Sequence, residues 1–167
     1  MQLLVIRHAI AQAREEFTGD DDALRPLTKE GRQQMQRVAK GLRHIVGDID
    51  VLGSSPLLRA IQTAEIVAEE FGGVDITTVK ALEPDSALPT FVKWLRTERD
   101  AEVVAVVGHE PHLGTLITWL LTGLDEPRVP LKKGGACLLD FPSLPRKGGA
   151  TLRWALTPAL LRDVARR

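Results

Sequence analysis

The apolar and polar positions of this chain alternate between short apolar runs and longer segments with helical spacing. The first run, Leu3-Leu4-Val5-Ile6, reads as a buried strand over residues 2–7. Residues 9–27 hold few periodic apolar positions and many acids (Glu15, Glu16, Asp20, Asp21, Asp22), so they read as a surface loop with one helical turn. Thr28 is an N-cap candidate. Met35, Val38, Ala39, Leu42 and Ile45 follow at helical spacing, which predicts a helix over 29–46 closed near Gly47. A second strand is expected over 50–54. Ser55-Pro56 then reads as an N-cap followed by proline at the first helical position, opening a helix that runs to Phe71. A third strand is expected over 76–81, a turn over 82–85 and a helix over 88–98. The clearest buried strand, 102–107, ends at Gly108-His109, and a helix follows over 111–121. Strands over 136–141 and 151–155, separated by Pro145-Arg146-Lys147-Gly148-Gly149, are expected to pair as a hairpin, with a terminal helix over 158–166. Strands alternating with helices of these lengths predict an α/β protein: a three-layer α/β/α sandwich with a mostly parallel central sheet, formed by one domain over 1–167.

Composition narrows the partners. Lys plus Arg and Asp plus Glu both number 22, so the formal net charge is zero. No global basic field points to nucleic acid or to an anionic membrane, and any cationic site must be local. The one cysteine, Cys137, allows no intrachain disulfide, which fits a reducing compartment. The opening MQLLVIRHAIAQ lacks a basic segment before its apolar run, and that run is too short to span a bilayer. The expectation is a soluble, cytoplasmic protein.

Three strand-to-helix junctions carry the candidate chemistry: Arg7-His8, Ser54-Ser55-Pro56-Leu57-Leu58-Arg59 and Gly108-His109-Glu110-Pro111. Parallel strands bring their C-terminal ends to one edge, so these junctions can converge. Two arginines and two histidines in one pocket form an anion site, and the guanidinium fork matches phosphate geometry. A neutral imidazole can attack phosphorus and form phosphohistidine. For His8 to do so, one ring nitrogen must stay unprotonated while the other is tied to an acceptor such as a backbone carbonyl.

These motifs, in this order, resemble those of the histidine phosphatase superfamily, with its phosphoglycerate mutase-like fold. Within it the chain is similar to the small SixA-type phosphohistidine phosphatase branch. The resemblance rests on Arg7-His8-Ala9, Arg25-Pro26-Leu27-Thr28 with Gly31, Ser54 to Ala60 with Gln62-Thr63-Ala64, Gly108-His109, and Trp154-Ala155-Leu156-Thr157-Pro158. It implies His8 as phospho-accepting nucleophile, Arg7, Arg59 and His109 as phosphate-binding companions, and neither metal nor cofactor. Ala9 stands where the broad family has glycine. Larger members place a proton-donating carboxylate after the third strand. Glu83 falls in that region and is the candidate acid, against a plain turn carboxylate. Arg25, before a proline, reads as an ordinary surface loop residue, against which the resemblance implies substrate or structural anchoring near the site. His112 is expected to begin a helix, His44 to lie at the surface, Cys137 to pack, and Phe91, Trp94 and Trp119 to serve core or rim.

The expected function is a metal-independent phosphatase that acts through phospho-His8 on phosphohistidine in a protein domain. The rivals are a phosphomonoesterase for a small metabolite and a non-catalytic phosphoprotein-binding module. The chain lacks the long insertions that cap larger relatives, and an open site suits a bulky substrate.

Overall fold

The computed structural model describes residues 1–166, and in it the chain wraps one six-stranded sheet. In chain order the elements are β1 (Gln2–Arg7), α1 (Lys29–Val46), β2 (Val51–Ser54), α2 (Leu58–Glu70), β3 (Ile76–Thr78), α3 (Leu88–Leu95), β4 (Val103–Gly108), α4 (His112–Thr122), β5 (Ala136–Asp140), β6 (Thr151–Leu156) and α5 (Pro158–Val164). The spatial order is β3-β2-β4-β1-β5-β6. The first four of these run parallel, while β5 and β6 extend the β1 edge antiparallel as the expected hairpin.

The alternation of strand side chains divides the core in two. Leu4, Ile6, Leu52, Ala105 and Val107 face one way and pack with Met35, Val38 and Leu42 of α1, Ala64 and Val67 of α2, and Leu161 of α5. Leu3, Val5, Val104, Val106 and Cys137 face the other way, onto Phe91 and Leu95 of α3 and Leu113, Leu116 and Ile117 of α4. Each aliphatic side chain fully buried in this way contributes about 1.5–3 kcal/mol. Among the described residues, no helix is long and apolar enough to cross a membrane.

α1 forms as its sequence dictates. The Thr28 hydroxyl accepts the Gly31 N–H at 2.9 Å, and Gly47 closes the helix at φ 84°. Gly31 is there for space: a Cβ at that position would lie 2.1 Å from the carbonyl oxygen of Ile10. That oxygen also takes the Thr28 backbone N–H and, at 3.3 Å, the Thr28 hydroxyl. The loop that leaves His8 is thereby fastened to the start of α1.

The boundaries differ where side chains find other partners. α2 begins at Leu58, with Leu57 as an N-cap that makes no side-chain bond, rather than at the expected Ser55-Pro56. The Ser55 hydroxyl is turned to His109 instead. β3 stops at Thr78, because Val79 and Leu82 turn into the core and residues Lys80–Leu82 form a 3-10 turn. The helix expected over 88–98 is α3 followed by a 3-10 turn at Arg96–Glu98. In the long loop, the one expected helical turn is a 3-10 turn at Asp22–Leu24.

Candidate active site

Register brings the three junctions together. Arg7 pairs with Gly108, and Ser54 with Val107, so the tips of β1, β4 and β2 end side by side. Beyond the strands, the His8 N–H donates to the Gly108 carbonyl and the Ser55 N–H to the Val107 carbonyl, both at 3.0 Å. The Gly134 N–H reaches the carbonyls of Arg7 and His8 from the β5 side. Few backbone degrees of freedom remain at this edge.

His8 and His109 are buried, with ring centroids 5.1 Å apart. His8 Nδ1 lies 2.7 Å from the Ala9 carbonyl oxygen. A carbonyl only accepts, so Nδ1 carries the ring proton, and in the neutral ring Nε2 keeps its lone pair. Burial, then the charges of Arg59, Arg7 and Lys133, push the His8 pKa down to about 3, against the opposing pull of the Ala9 bond. His109 is also lowered to about 3, by burial first and then by His8, Arg59 and His112. Both rings are therefore neutral at ordinary pH.

His109 is tied by its other nitrogen: Nε2 lies 2.8 Å from the Ser55 hydroxyl. That hydroxyl accepts the Leu57 N–H at 3.4 Å and retains a proton that it can donate to Nε2. When it does, the ring proton of His109 is on Nδ1, which is buried without a partner in the protein. Arg7 Nε and Arg59 Nε are buried and unpartnered in the same way. Each of these groups is a donor or a cation, and leaving one unsatisfied costs about 1–3 kcal/mol or more. Three such donors beside the His8 ring make a cradle for an oxyanion.

The remaining bonds aim the guanidinium groups. Arg7 donates from Nη1 to the Leu131 carbonyl at 2.8 Å. Arg59, on the first turn of α2, donates from Nη1 to the Asp22 carbonyl at 3.0 Å, and its Nη2 lies 3.2 Å from the Asp22 carboxylate. Asp22 therefore holds the outer end of Arg59 and leaves the Nε edge free. The same carboxylate accepts Arg25 Nε at 2.9 Å, and Arg25 Nη1 donates to the Gln12 carbonyl. Burial alone would raise the Asp22 carboxyl, but the Arg25 hydrogen bond and the charges of Arg59, Arg25 and Arg14 hold it below the usual range. Thr63 completes the frame. Its hydroxyl accepts the Ala9 N–H at 3.0 Å and donates to the Arg59 carbonyl at 2.7 Å.

Of the residues singled out in the sequence, Arg7, His8, Arg59 and His109 are brought together, and Arg25 joins them through Asp22. Glu83 ends the 3-10 turn after β3 with its N–H on the Lys80 carbonyl. Among the described residues, its side chain makes no hydrogen bond or ion pair with the four. His112 starts α4, buried, with Nε2–H on the Ala81 carbonyl at 3.2 Å. Cys137 is buried in the core, with its thiol raised to about 12 by burial, and His44 is exposed. Sequence reasoning missed Asp22 and the bond between Ser55 and His109. Asp22 stood in a run of three acids whose charge reads as ordinary loop surface, and Ser55 read as a helix cap. The available signals were the serine directly after a strand tip and the placing of Thr63 one turn beyond Arg59.

Known proteins share this fold and parts of this sequence. The profile of the Histidine phosphatase superfamily (branch 1) matches residues 3–83. An uncharacterized protein of Picosynechococcus sp. is 36% identical over 138 residues, 81% of this chain and 82% of its own length. The phosphohistidine phosphatase SixA of Escherichia coli is 27% identical over 165 residues, covering 97% of both chains. The structure of the protein histidine phosphatase SixA complexed with tungstate superposes with a TM-score of 0.81 at 24% identity, covering 96% of this chain and 99% of that one. The chain belongs to the histidine phosphatase superfamily, in its SixA-type branch, and is a phosphatase.

Proposed function

We propose that this phosphatase removes phosphate from phosphohistidine carried on a protein, through a covalent phospho-His8 intermediate and without a metal. The observation that carries the reading is the Nδ1–H bond from His8 to the Ala9 carbonyl, which leaves Nε2 unprotonated beside three unpartnered donors. Nε2 attacks phosphorus as the bond from phosphorus to the leaving nitrogen breaks. Arg7, Arg59 and His109 Nδ1–H hold the non-bridging oxygens and offset their charge. Water then attacks phospho-His8, releasing phosphate and restoring the Nε2 lone pair.

A leaving imidazole departs readily once protonated, which suits a site where the carboxylate bonded to the cluster, Asp22, is engaged by the guanidinium groups of Arg59 and Arg25. The SixA relative of Escherichia coli, similar over nearly the whole chain, supports a phosphohistidine substrate. The absence of any disulfide partner for Cys137 supports a cytoplasmic setting. The test is a side-by-side assay of a phosphohistidine-bearing protein domain, free phosphohistidine and small phosphate esters, with a chelator present. The expected result is preferential turnover of the protein domain, unaffected by chelator, with an acid-labile phosphoenzyme trapped on the native protein and absent from His8→Ala. Activity lost to chelator would sink the metal-free mechanism. Turnover of esters alone would move the substrate class to small metabolites.

A further inference from the structure

Beside the phosphate cradle lies an open groove of about 640 Å³, lined by Arg7, Ile10, Gln34, Lys132, Lys133 and Arg162 with residues 157–159. We propose that this groove binds a glutamate- or aspartate-rich segment flanking the phosphorylated residue of a protein substrate. The proposal rests on the phosphoprotein reading above and assigns that substrate a recognition feature.

The groove carries an excess of positive charge, and Glu110 acts on Arg7 from outside its lining. It contains four cations and no acid. Among the described residues, none of the four lies within 4.0 Å of a carboxylate, whereas Arg14, Arg25 and Arg59 all converge on Asp22. Arg162 is steadied by a neutral group, donating from Nη1 to Gln34 Oε1 at 3.2 Å, so its charge stays available. Arg7 is steadied by the Leu131 carbonyl. In a chain whose net charge is zero, this concentration is local.

Position links the groove to the chemistry. Arg7 belongs to both, and Lys133 lies near enough to His8 to help drive off its proton. A chain whose phosphate sits against Arg7 therefore continues directly into the groove. The lining suits a polypeptide: Ile10, Pro158 and Ala159 give apolar contact between the cations, and no aromatic ring is present for a nucleobase to stack on. Lys132 and Lys133 are exposed, so their pairs with a partner's carboxylates are rim contacts, individually weak and jointly selective.

The experiment compares two phosphohistidine peptides of equal length, one flanked by glutamates and one by glutamines, on the native protein and on the double variant Lys132→Gln/Arg162→Gln. Hydrolysis of p-nitrophenyl phosphate serves as the reference for folding and basal activity. In the native protein the glutamate peptide is expected to show a KM lower by about tenfold at low salt, shrinking as salt rises. In the double variant the preference falls to about twofold or less while the reference reaction is unchanged. Equal KM values in the native protein, or a preference that survives in the double variant, overturn the groove assignment. If neither peptide is turned over, the phosphoprotein reading fails on its own. The groove is then read by inhibition of the reference reaction with unphosphorylated peptides. Stronger inhibition by the glutamate peptide, lost in the double variant, supports the groove; equal inhibition overturns it.

Discussion

His8 and His109 occupy equivalent places, one just past β1 and the other just past β4, at the tips of two hydrogen-bonded parallel strands. Both are buried and both are pushed down to about 3. Burial and charge therefore do not distinguish them. The difference lies in which nitrogen the surroundings occupy. In His8 the carbonyl of the next residue takes Nδ1–H and leaves a lone pair on Nε2. In His109 the Ser55 hydroxyl occupies Nε2, and when that hydroxyl donates, the ring proton is on Nδ1. One ring is prepared to attack, the other to donate, and each assignment depends on a single hydrogen bond.

The sharpest test of this contrast removes each ring in turn. His8→Ala should lower kcat/KM by about 10⁴-fold or more and abolish the phosphoenzyme. His109→Ala should cost about 10²- to 10³-fold, as the loss of one oxyanion donor does, yet still accumulate phospho-His8. Rapid-quench trapping separates the two outcomes, and a phosphoenzyme absent from both variants would erase the distinction. Next in size, Arg59→Lys keeps the charge but loses the fork and the Nε donor, so a loss of about 10²-fold is expected in steady-state kinetics.

Ser55→Ala should have a smaller effect, about tenfold in kcat, because one hydrogen bond is lost and the His109 tautomer is released. Nitrogen NMR of the imidazoles should then show the His109 proton redistributed and the His8 proton still on Nδ1. A change at His8 instead would break the comparison.

The pH dependence is a still milder test. A group with a depressed pKa stays neutral until the pH falls toward that value, so kcat/KM on a small ester should change by no more than about twofold between pH 7 and pH 5. An unshifted histidine nucleophile would already have lost most of its activity at pH 5. The same shifts act on folding. The unfolded chain binds protons at the ordinary imidazole pKa of 6.5 while the folded chain does not, so stability is full above that value and falls as the pH drops toward 3. The smallest effect belongs to Glu83→Gln, expected at about twofold or less on phosphohistidine; a much larger loss on an ester than on phosphohistidine would make Glu83 the proton donor.

Much of the architecture was legible because it depends on local pattern. The apolar run at Leu3–Ile6, the Thr28 cap and the stop at Gly47 each state their element within a few residues, and α1 spans Lys29–Val46 as its spacing predicts. Arg7, His8, Arg59 and His109 were legible because a strand tip followed by a polar group recurs three times, and parallel strands align their tips. Ser55 was misread because a serine before a proline satisfies the local rule for a helix cap, while its actual partner is 54 residues away. Asp22 was missed for a related reason: its neighbours Asp20 and Asp21 make it look like solvated loop, and Arg59 comes 37 residues later.

The sequence by itself determined that a cation and an imidazole stand at the end of the first strand, that two further junctions can meet them, and that the net charge leaves any anion site local. Tertiary structure alone decided which nitrogen of each histidine is free, which edge of Arg59 faces the cradle, and that four unpaired cations border it. The physical reason is that element formation follows from neighbours along the chain. Proton placement and guanidinium orientation follow from partners across it, which the sheet order β3-β2-β4-β1-β5-β6 and the loop at Asp22 bring within hydrogen-bonding distance.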